Sequence, residues 1–302
     1  MPAILWIILA VVILTFALGF ALAAFSMGIR RQTLDEARAW QEAHYDLSWY
    51  DALEKQDYTV KSYDGYALHA QLLVNPRPTQ RYVVVSHGYT DNRFGALKYA
   101  RAYLELSFNV IVYDLRGHGV NAKTHCTYSI RESLDLDALL KDCRERFPDA
   151  KILGIHGESL GAATSVAVLK YAPKIDFVVA DCGFSEIESV MRAGLVRMRL
   201  PGALVHLASL CAKLRYGHFF HEMRPIDSLA GSRVPILFIH GEKDAFILPF
   251  HSEAMCRAAG EWGELRTIPG ASHAASVLTA PDQYKACLEA FLTRIHVISA
   301  PL

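Results

Sequence analysis

The spacing of hydrophobic positions changes along the chain. Residues 2–28 carry no charged side chain, so a helix formed by them would be apolar on every side. From residue 57 onward, short continuous apolar runs alternate with segments in which apolar residues recur every three or four positions. Runs of the first kind are typical of strands buried on both faces of a sheet, and the second spacing is typical of amphipathic helices. The pattern therefore predicts an apolar helix followed by an α/β domain.

The apolar segment is long enough to cross a membrane. At about 1.5 Å per residue, roughly 27 helical residues extend on the order of 40 Å, against a hydrocarbon core of ~30 Å. A cleaved signal peptide, with Ala21 to Ala23 as its cleavage site, and a buried core helix are the alternatives. No basic stretch precedes the segment, and its apolar run exceeds that of a signal peptide. We predict a transmembrane anchor over residues 1–30.

The charges after the anchor predict its orientation. Arg30, Arg31 and Arg38 follow the segment closely, whereas no Lys or Arg precedes it. The positive-inside rule then places the body of a single-pass membrane protein in the cytoplasm. Six cysteines without CxxC spacing are consistent with free thiols in a reducing compartment, although the even count leaves pairing open.

The body is predicted to be one α/β domain over residues 57–298, preceded by a juxtamembrane helical segment at 31–56. A hairpin at 58–74, turned at Asp64-Gly65, is expected to open the sheet. Further strands are predicted at 81–89, 108–119, 151–156, 176–180, 235–240 and 264–268, and helices at 94–106, 128–147, 160–171, 249–259 and 281–295. This alternation predicts a mostly parallel central sheet flanked by helices, with its site at the carboxyl ends of the strands. Residues 184–232 contain no clear strand and are predicted to form an inserted helical lid.

Composition narrows the function classes. The 302 residues are 52% hydrophobic, which fits one large globular domain. Lys plus Arg and Asp plus Glu both number 31, giving no net charge. No dense basic block is present, so nucleic acid is not expected as a partner.

A candidate nucleophile lies between a predicted strand and a predicted helix. Gly157-Glu158-Ser159-Leu160-Gly161 has the G-x-S-x-G pattern in the strand, turn and helix setting of a nucleophile elbow. The alternative is an ordinary turn or N-cap serine. The context favours Ser159 as a nucleophile.

A serine nucleophile needs a base and an acid, which in this arrangement follow it in the order acid, then histidine. Asp244 lies in the loop after the strand at 235–240, and His273 lies between the last predicted strand and the last helix. Asp181, at the end of another strand, and Glu242 are rival acids. We predict Ser159, Asp244 and His273 as a catalytic triad.

Acyl transfer also needs N–H donors for the negative oxygen of the tetrahedral intermediate. The backbone N–H groups of Leu160 and Tyr89 are predicted to form this oxyanion hole. His87 is interpreted as a residue that holds the turn. No cofactor is required, and no metal site with convincing ligand spacing is present.

Together these motifs resemble those of serine hydrolases of the α/β-hydrolase fold, over about residues 57–295. The motifs that carry the resemblance are "SHGYTDN" at 86–92, "DLRGHG" at 114–119, "GESLGAAT" at 157–164, "HGEKD" at 240–244 and "GASH" at 270–273. The chain is similar to bacterial membrane-anchored hydrolases of the serine aminopeptidase and acyl-peptidase-like branch, and more distantly to membrane-associated protein depalmitoylases. The resemblance implies the same triad and oxyanion donors, and a structural role for "DLRGHG". Relatives often have serine where this chain has Asn121, which puts only the local loop geometry in doubt.

The expected function is that of an esterase or thioesterase that cleaves a carboxylic ester, thioester or related acyl bond through an acyl-enzyme on Ser159. An acyltransferase or peptidase with the same triad, and a catalytically silent binding protein, are the alternatives. An apolar lid beside an anchor suggests a small-molecule or acylated substrate with a hydrophobic acyl group. Alternatively, the apolar lid residues only pack the lid against the body.

Overall fold

In the computed structural model, which describes residues 2–299, the chain begins with a long helix, α1 (Pro2–Met27). The side chains of residues 3–18 are all exposed, and the helix is long and apolar enough to span a membrane. Two shorter helices follow, α2 (Leu34–His44) and α3 (Ser48–Ala52). Helix α2 begins with a capping box, in which the Thr33 hydroxyl accepts a hydrogen bond from the Glu36 N–H (3.1 Å).

The described residues contain one eight-stranded sheet, with strand order β1-β2-β4-β3-β5-β6-β7-β8. Strand β2 is antiparallel to β1 and β4, and the remaining neighbours are parallel. The strands are β1 (Lys55–Lys61), β2 (Ala67–Leu73), β3 (Arg81–Ser86), β4 (Asn109–Tyr113), β5 (Ile152–Glu158), β6 (Phe177–Asp181), β7 (Ile236–Gly241) and β8 (Gly263–Ile268).

Helices cover both faces of this sheet. They are α4 (Leu97–Glu105), α5 (Ile130–Arg146), α6 (Leu160–Ala167), α7 (Ile187–Arg197), α8 (Leu204–Tyr216), α9 (Phe250–Ala259), α10 (Ser276–Thr279) and α11 (Pro281–Arg294). Successive side chains of a strand point to opposite faces. Val84 accordingly packs into one core cluster, with residues of α5, α6 and α8, whereas Val83 and Val85 pack into the other, with residues of α4 and α11. The predicted α/β class with helices on both faces is confirmed.

The observed elements differ from the predicted ones mainly at their ends. The helix predicted at 160–171 is α-helical only to Ala167 and continues as a 3₁₀ turn to Tyr171, after which Ala172 adopts a left-handed conformation (φ +48°). The first strand begins at Lys55, two residues before the predicted start of the domain. Strand β4 ends at Tyr113, because the "DLRGHG" residues fold back as a loop.

The segment between β6 and β7 folds as helices α7 and α8 and two 3₁₀ turns, at 220–222 and 225–229. Helix α8 packs against the second half of α1. A Cβ atom added to Gly19 would lie 2.6 Å from the Cys211 sulfur, so the absent side chain allows the two helices to approach closely. The C-terminal half of α1 is therefore part of the folded body.

Candidate active site

Ser159 occupies a strained turn between β5 and α6. Its backbone has φ +53° and ψ −111°, a region that non-glycine residues rarely adopt. A Cβ atom on Gly161 would overlap the carbonyl oxygen of Ser86 in β3, so only glycine lets α6 begin this close to the sheet. The turn directs Ser159 to the carboxyl end of the sheet.

The structure brings the three predicted triad residues together. The Ser159 Oγ lies 3.0 Å from His273 Nε2, and His273 Nδ1 lies 2.7 Å from Asp244 Oδ2. The rival acids lie elsewhere: Asp181 accepts hydrogen bonds from the hydroxyls of Tyr99 (3.2 Å) and Ser276 (3.3 Å), and Glu242 accepts one from a backbone N–H at residue 270 (3.3 Å). Of the three carboxylates, Asp244 is the one in contact with His273.

The Asp244 carboxylate is fixed and charged. Its Oδ1 accepts the backbone N–H groups of Phe246 (2.8 Å) and Ile247 (2.9 Å), and its Oδ2 lies 3.2 Å from His240 Nε2. Burial alone would raise its pKa, but the hydrogen bonds from His240 and His273 lower the pKa below its usual value. An ionised Asp244 requires the proton of a neutral His273 to be on Nδ1. The Nε2 lone pair then faces the Ser159 hydroxyl.

The two residues predicted to supply oxyanion donors border the same cavity as Ser159. Leu160 is the first residue of α6, so its N–H has no acceptor within the helix and lies at the helix's positive end. Tyr89 follows β3 and, like Leu160 and Ser159, lines the same cavity. His87 holds this loop: its Nε2 accepts the Leu115 N–H (2.9 Å) and its Nδ1 donates to the carbonyl oxygen of residue 88 (2.7 Å).

Asn121 supports the loop formed by "DLRGHG". Its side-chain NH₂ group donates to the carbonyl oxygens of Asp114 (2.6 Å) and Leu115 (3.2 Å), and its Oδ1 accepts the His69 N–H (3.0 Å). These bonds join β2 to the loop that follows β4. A buried amide thus fills the position where relatives often have serine, without touching the triad.

A buried ion pair beneath the nucleophile was not predicted from the sequence. Glu158 pairs with Lys98 of α4 and accepts a hydrogen bond from the Tyr99 hydroxyl (2.5 Å). The Lys98 ammonium also donates to the carbonyl oxygen of Ala274 (3.0 Å), the residue after His273. Lys98 therefore links the loop that carries the serine to the loop that carries the histidine. Nothing in the local sequence of α4 signals this long-range pairing.

An apolar cavity of about 330 Å³ opens beside Ser159. Its walls come from three parts of the chain: the loops at the sheet edge, the segment 184–232 and the last turns of α1. The α1 residues are Leu22, Phe25 and Ser26. Apolar residues of α7 and α8 also line the cavity: Ile187, Val190, Met191, Leu195, Val205 and Ala208.

The side chains nearest to the triad do not suit a metal ion. Ligand atoms of Cys182, Asp244 and His273 lie within 4.8 Å of one another. Burial raises the pKa of the Cys182 thiol well above its usual value, so the thiolate that a metal requires is disfavoured. His273 and Asp244 are already hydrogen-bonded to each other.

Comparisons with known proteins agree with this geometry. Residues 83–286 match the model of the alpha/beta hydrolase family. Protein YqkD of Bacillus subtilis (strain 168), itself uncharacterized, is 28% identical over 302 residues, covering 98% of this chain and 99% of YqkD. The esterase Pf2001 of Pyrococcus furiosus superposes with a TM-score of 0.69 at 22% identity, covering 83% of this chain and 95% of the esterase.

A second solved structure, XC6422 of Xanthomonas campestris, is described as an α/β serine hydrolase without a lid. It superposes with a TM-score of 0.57 at 18% identity, over 82% of this chain and 97% of XC6422. At such identities the structural likeness shows the fold, and the branch within the family stays a prediction. The family match extends over about two thirds of the sequence and includes the serine turn, Asp244 and His273. The chain therefore belongs to the alpha/beta hydrolase family.

Proposed function

We propose that the protein is a serine hydrolase that cleaves a carboxylic ester or thioester through an acyl-enzyme on Ser159. The observation that carries this proposal is the continuous hydrogen-bonded chain from Ser159 through His273 to Asp244, with distances of 3.0 and 2.7 Å. These distances are within the range for a nucleophile, its base and the group that orients the base. Support also comes from Leu160, which follows this serine directly, and from Tyr89, which lines the same cavity.

In the proposed reaction, His273 Nε2 takes the proton of the Ser159 hydroxyl as Oγ attacks the carbonyl carbon of the substrate. The Leu160 and Tyr89 N–H groups stabilise the negative oxygen of the tetrahedral intermediate. His273 then returns the proton to the departing alcohol or thiol, leaving an acyl group on Ser159. A water molecule, deprotonated by the same histidine, attacks the acyl group and releases the acid. Asp244 stays ionised and holds the imidazole in the required tautomer.

The proposal extends to location. We propose a single-pass protein whose α1 spans the membrane and whose body faces the cytoplasm. The length and apolarity of α1 and the arginines that follow it support this.

The nucleophile can be tested by labelling the detergent-solubilised protein with a fluorophosphonate, which reacts with activated serines. Ser159→Ala should abolish labelling and lower turnover of p-nitrophenyl butanoate by at least about 10³-fold, because the nucleophile is lost.

Ser185 provides a matched control, since it is also buried and its hydroxyl lies 2.8 Å from a histidine, His251. Ser185→Ala should keep both the labelling and the turnover. Undiminished activity of Ser159→Ala would refute the proposed role, and loss of labelling only in Ser185→Ala would assign the nucleophile to Ser185.

A further inference from the structure

The free part of α1 is too short to cross a bilayer by itself. The side chains of residues 3–18 are all exposed, and 16 helical residues extend only about 24 Å. A hydrocarbon core of ~30 Å needs about 20 residues. The residues that would complete the span are already in contact with the body: Gly19 lies against α8, and Leu22 lines the cavity. If α1 spans the membrane, the cavity therefore lies at the hydrocarbon boundary.

The cavity wall that α1 supplies is fixed in place. The carbonyl oxygens at the end of the helix accept hydrogen bonds from the Tyr128 hydroxyl, at Ser26, and from the Tyr89 hydroxyl, at Gly28. Between them, the Met27 carbonyl oxygen accepts a backbone N–H from residue 126 (2.9 Å). The last turn of α1 thus binds the loop that carries a predicted oxyanion donor.

The mouth of the cavity carries exposed apolar side chains. Met198 and Phe246 line the cavity and are 49% and 54% exposed, and Val196 beside them is 58% exposed. Two arginines of the cavity wall, Arg30 and Arg197, are also exposed. Apolar side chains interleaved with arginines are typical of surfaces that lie in a membrane interface, where the cations meet lipid phosphates.

We propose that the cavity receives the acyl chain of a long-chain ester dissolved in the bilayer, and that Leu22 and Phe25 of α1 limit the length of chain it accepts. The substrate would enter from the membrane beside α1, with its carbonyl carbon at Ser159 and its chain along the apolar wall. Hydrolysis breaks the bond between the carbonyl carbon and the alcohol oxygen. The fatty acid returns to the bilayer and the alcohol takes the proton from His273. This inference rests on the proposed serine hydrolase function.

The role of α1 is tested by a chain-length profile on the full-length protein in detergent, with p-nitrophenyl butanoate and hexadecanoate as substrates. Leu22→Trp should lower the ratio of kcat/KM for the hexadecanoate to kcat/KM for the butanoate at least about tenfold, because the indole narrows the part of the cavity that α1 lines and a longer acyl chain needs more of that space. Leu22→Ala should shift the preference in the opposite direction. Leu14→Trp is the matched control, since Leu14 is 69% exposed on the same helix, and it should leave the profile unchanged.

Equal effects of Leu22→Trp on both esters, or no effect on either, would overturn the proposal. Fluorophosphonate labelling of each variant separates this result from failure of the proposed function. Labelling that persists in Leu22→Trp shows an intact nucleophile, whereas a wild-type protein that is never labelled contradicts the serine mechanism itself. If Leu22→Trp fails to fold, the chain-length preference of Leu22→Ala tests the proposal instead.

Entry from the bilayer is tested with the protein reconstituted into phosphatidylcholine vesicles and a fluorogenic long-chain ester. Hydrolysis should be at least about tenfold faster when ester and protein share a vesicle than when the ester is held in separate vesicles. p-Nitrophenyl butanoate, which is dissolved in the water, should be cleaved at the same rate in both vesicle mixtures. Equal rates for the long-chain ester would refute entry from the bilayer.

Discussion

Replacement of Lys98 by methionine should destabilise the protein strongly. The Lys98 and Glu158 side chains are only 5% and 6% exposed, so neither charge has access to bulk water. Methionine keeps most of the aliphatic volume but leaves the Glu158 carboxylate buried without its cationic partner, although the Tyr99 hydroxyl still donates to it. Removal of one partner from a buried ion pair typically costs about 3–5 kcal/mol in the free energy of unfolding.

For a domain of this size that loss corresponds to roughly 6 to 10 °C in the unfolding midpoint. Lys98 also contributes a positive charge near Asp181, which increases the effect. Differential scanning fluorimetry of the detergent-solubilised protein provides the measurement, with Arg101→Met as the control, because the Arg101 side chain lies on the same helix and is 54% exposed. The control should change the midpoint by no more than about 2 °C.

A double variant tests the cause of this loss. Glu158→Gln alone leaves the Lys98 ammonium buried without a carboxylate partner. Lys98→Met combined with Glu158→Gln leaves no buried charge at either position. The double variant should therefore be more stable than Lys98→Met alone. A loss below about 1 kcal/mol in Lys98→Met, or a double variant whose loss equals the sum of the two single losses, would refute the electrostatic explanation.

Asp244 and Asp181 offer a contrast in both rate and stability. Asp244→Asn should lower kcat by about 10³- to 10⁴-fold, because Asn favours the wrong tautomer of His273. Asp181→Asn should lower kcat by less than about tenfold. If ester assays show the larger loss for Asp181→Asn instead, the acid of the triad is Asp181, at the end of β6. Burial raises the pKa of Asp181 to about 6, so stability falls as pH rises from about 4 through 6. Asp181→Asn should therefore raise the unfolding midpoint more at pH 8 than at pH 5, and an equal change at both would contradict that pKa.

The sequence predicted those features whose signals are local. Strands buried on both faces form continuous apolar runs, so the strands at 152–158 and 236–241 are within two residues of their predicted ends. The serine turn could be predicted because strand, glycines and helix follow one another directly. Order along the chain does not by itself select the acid, since Asp181 and Asp244 both follow strands. Their separation in space depends on how each loop folds, which local patterns do not encode.

Two features of the site left no such signal. Lys98 forms an ion pair with Glu158, which lies 60 positions later in the sequence. The residues around Lys98 in the sequence are those of an ordinary amphipathic helix. Helix α1 is apolar on every side, so no periodicity distinguishes the face that packs on α8 from the residues that stay exposed. Long-range pairing and the docking of a uniformly apolar helix both need the folded structure.

The packing of Gly19 against Cys211 also has a consequence for the order of folding. The contact joins positions 192 residues apart, so it closes a very long loop of the chain. Such non-local contacts form late, after the sheet has brought the intervening segments close. During synthesis α1 emerges long before α8 exists. The wall of the cavity that α7 and α8 supply is thus completed against a helix that was synthesised much earlier, so the cavity forms late in folding.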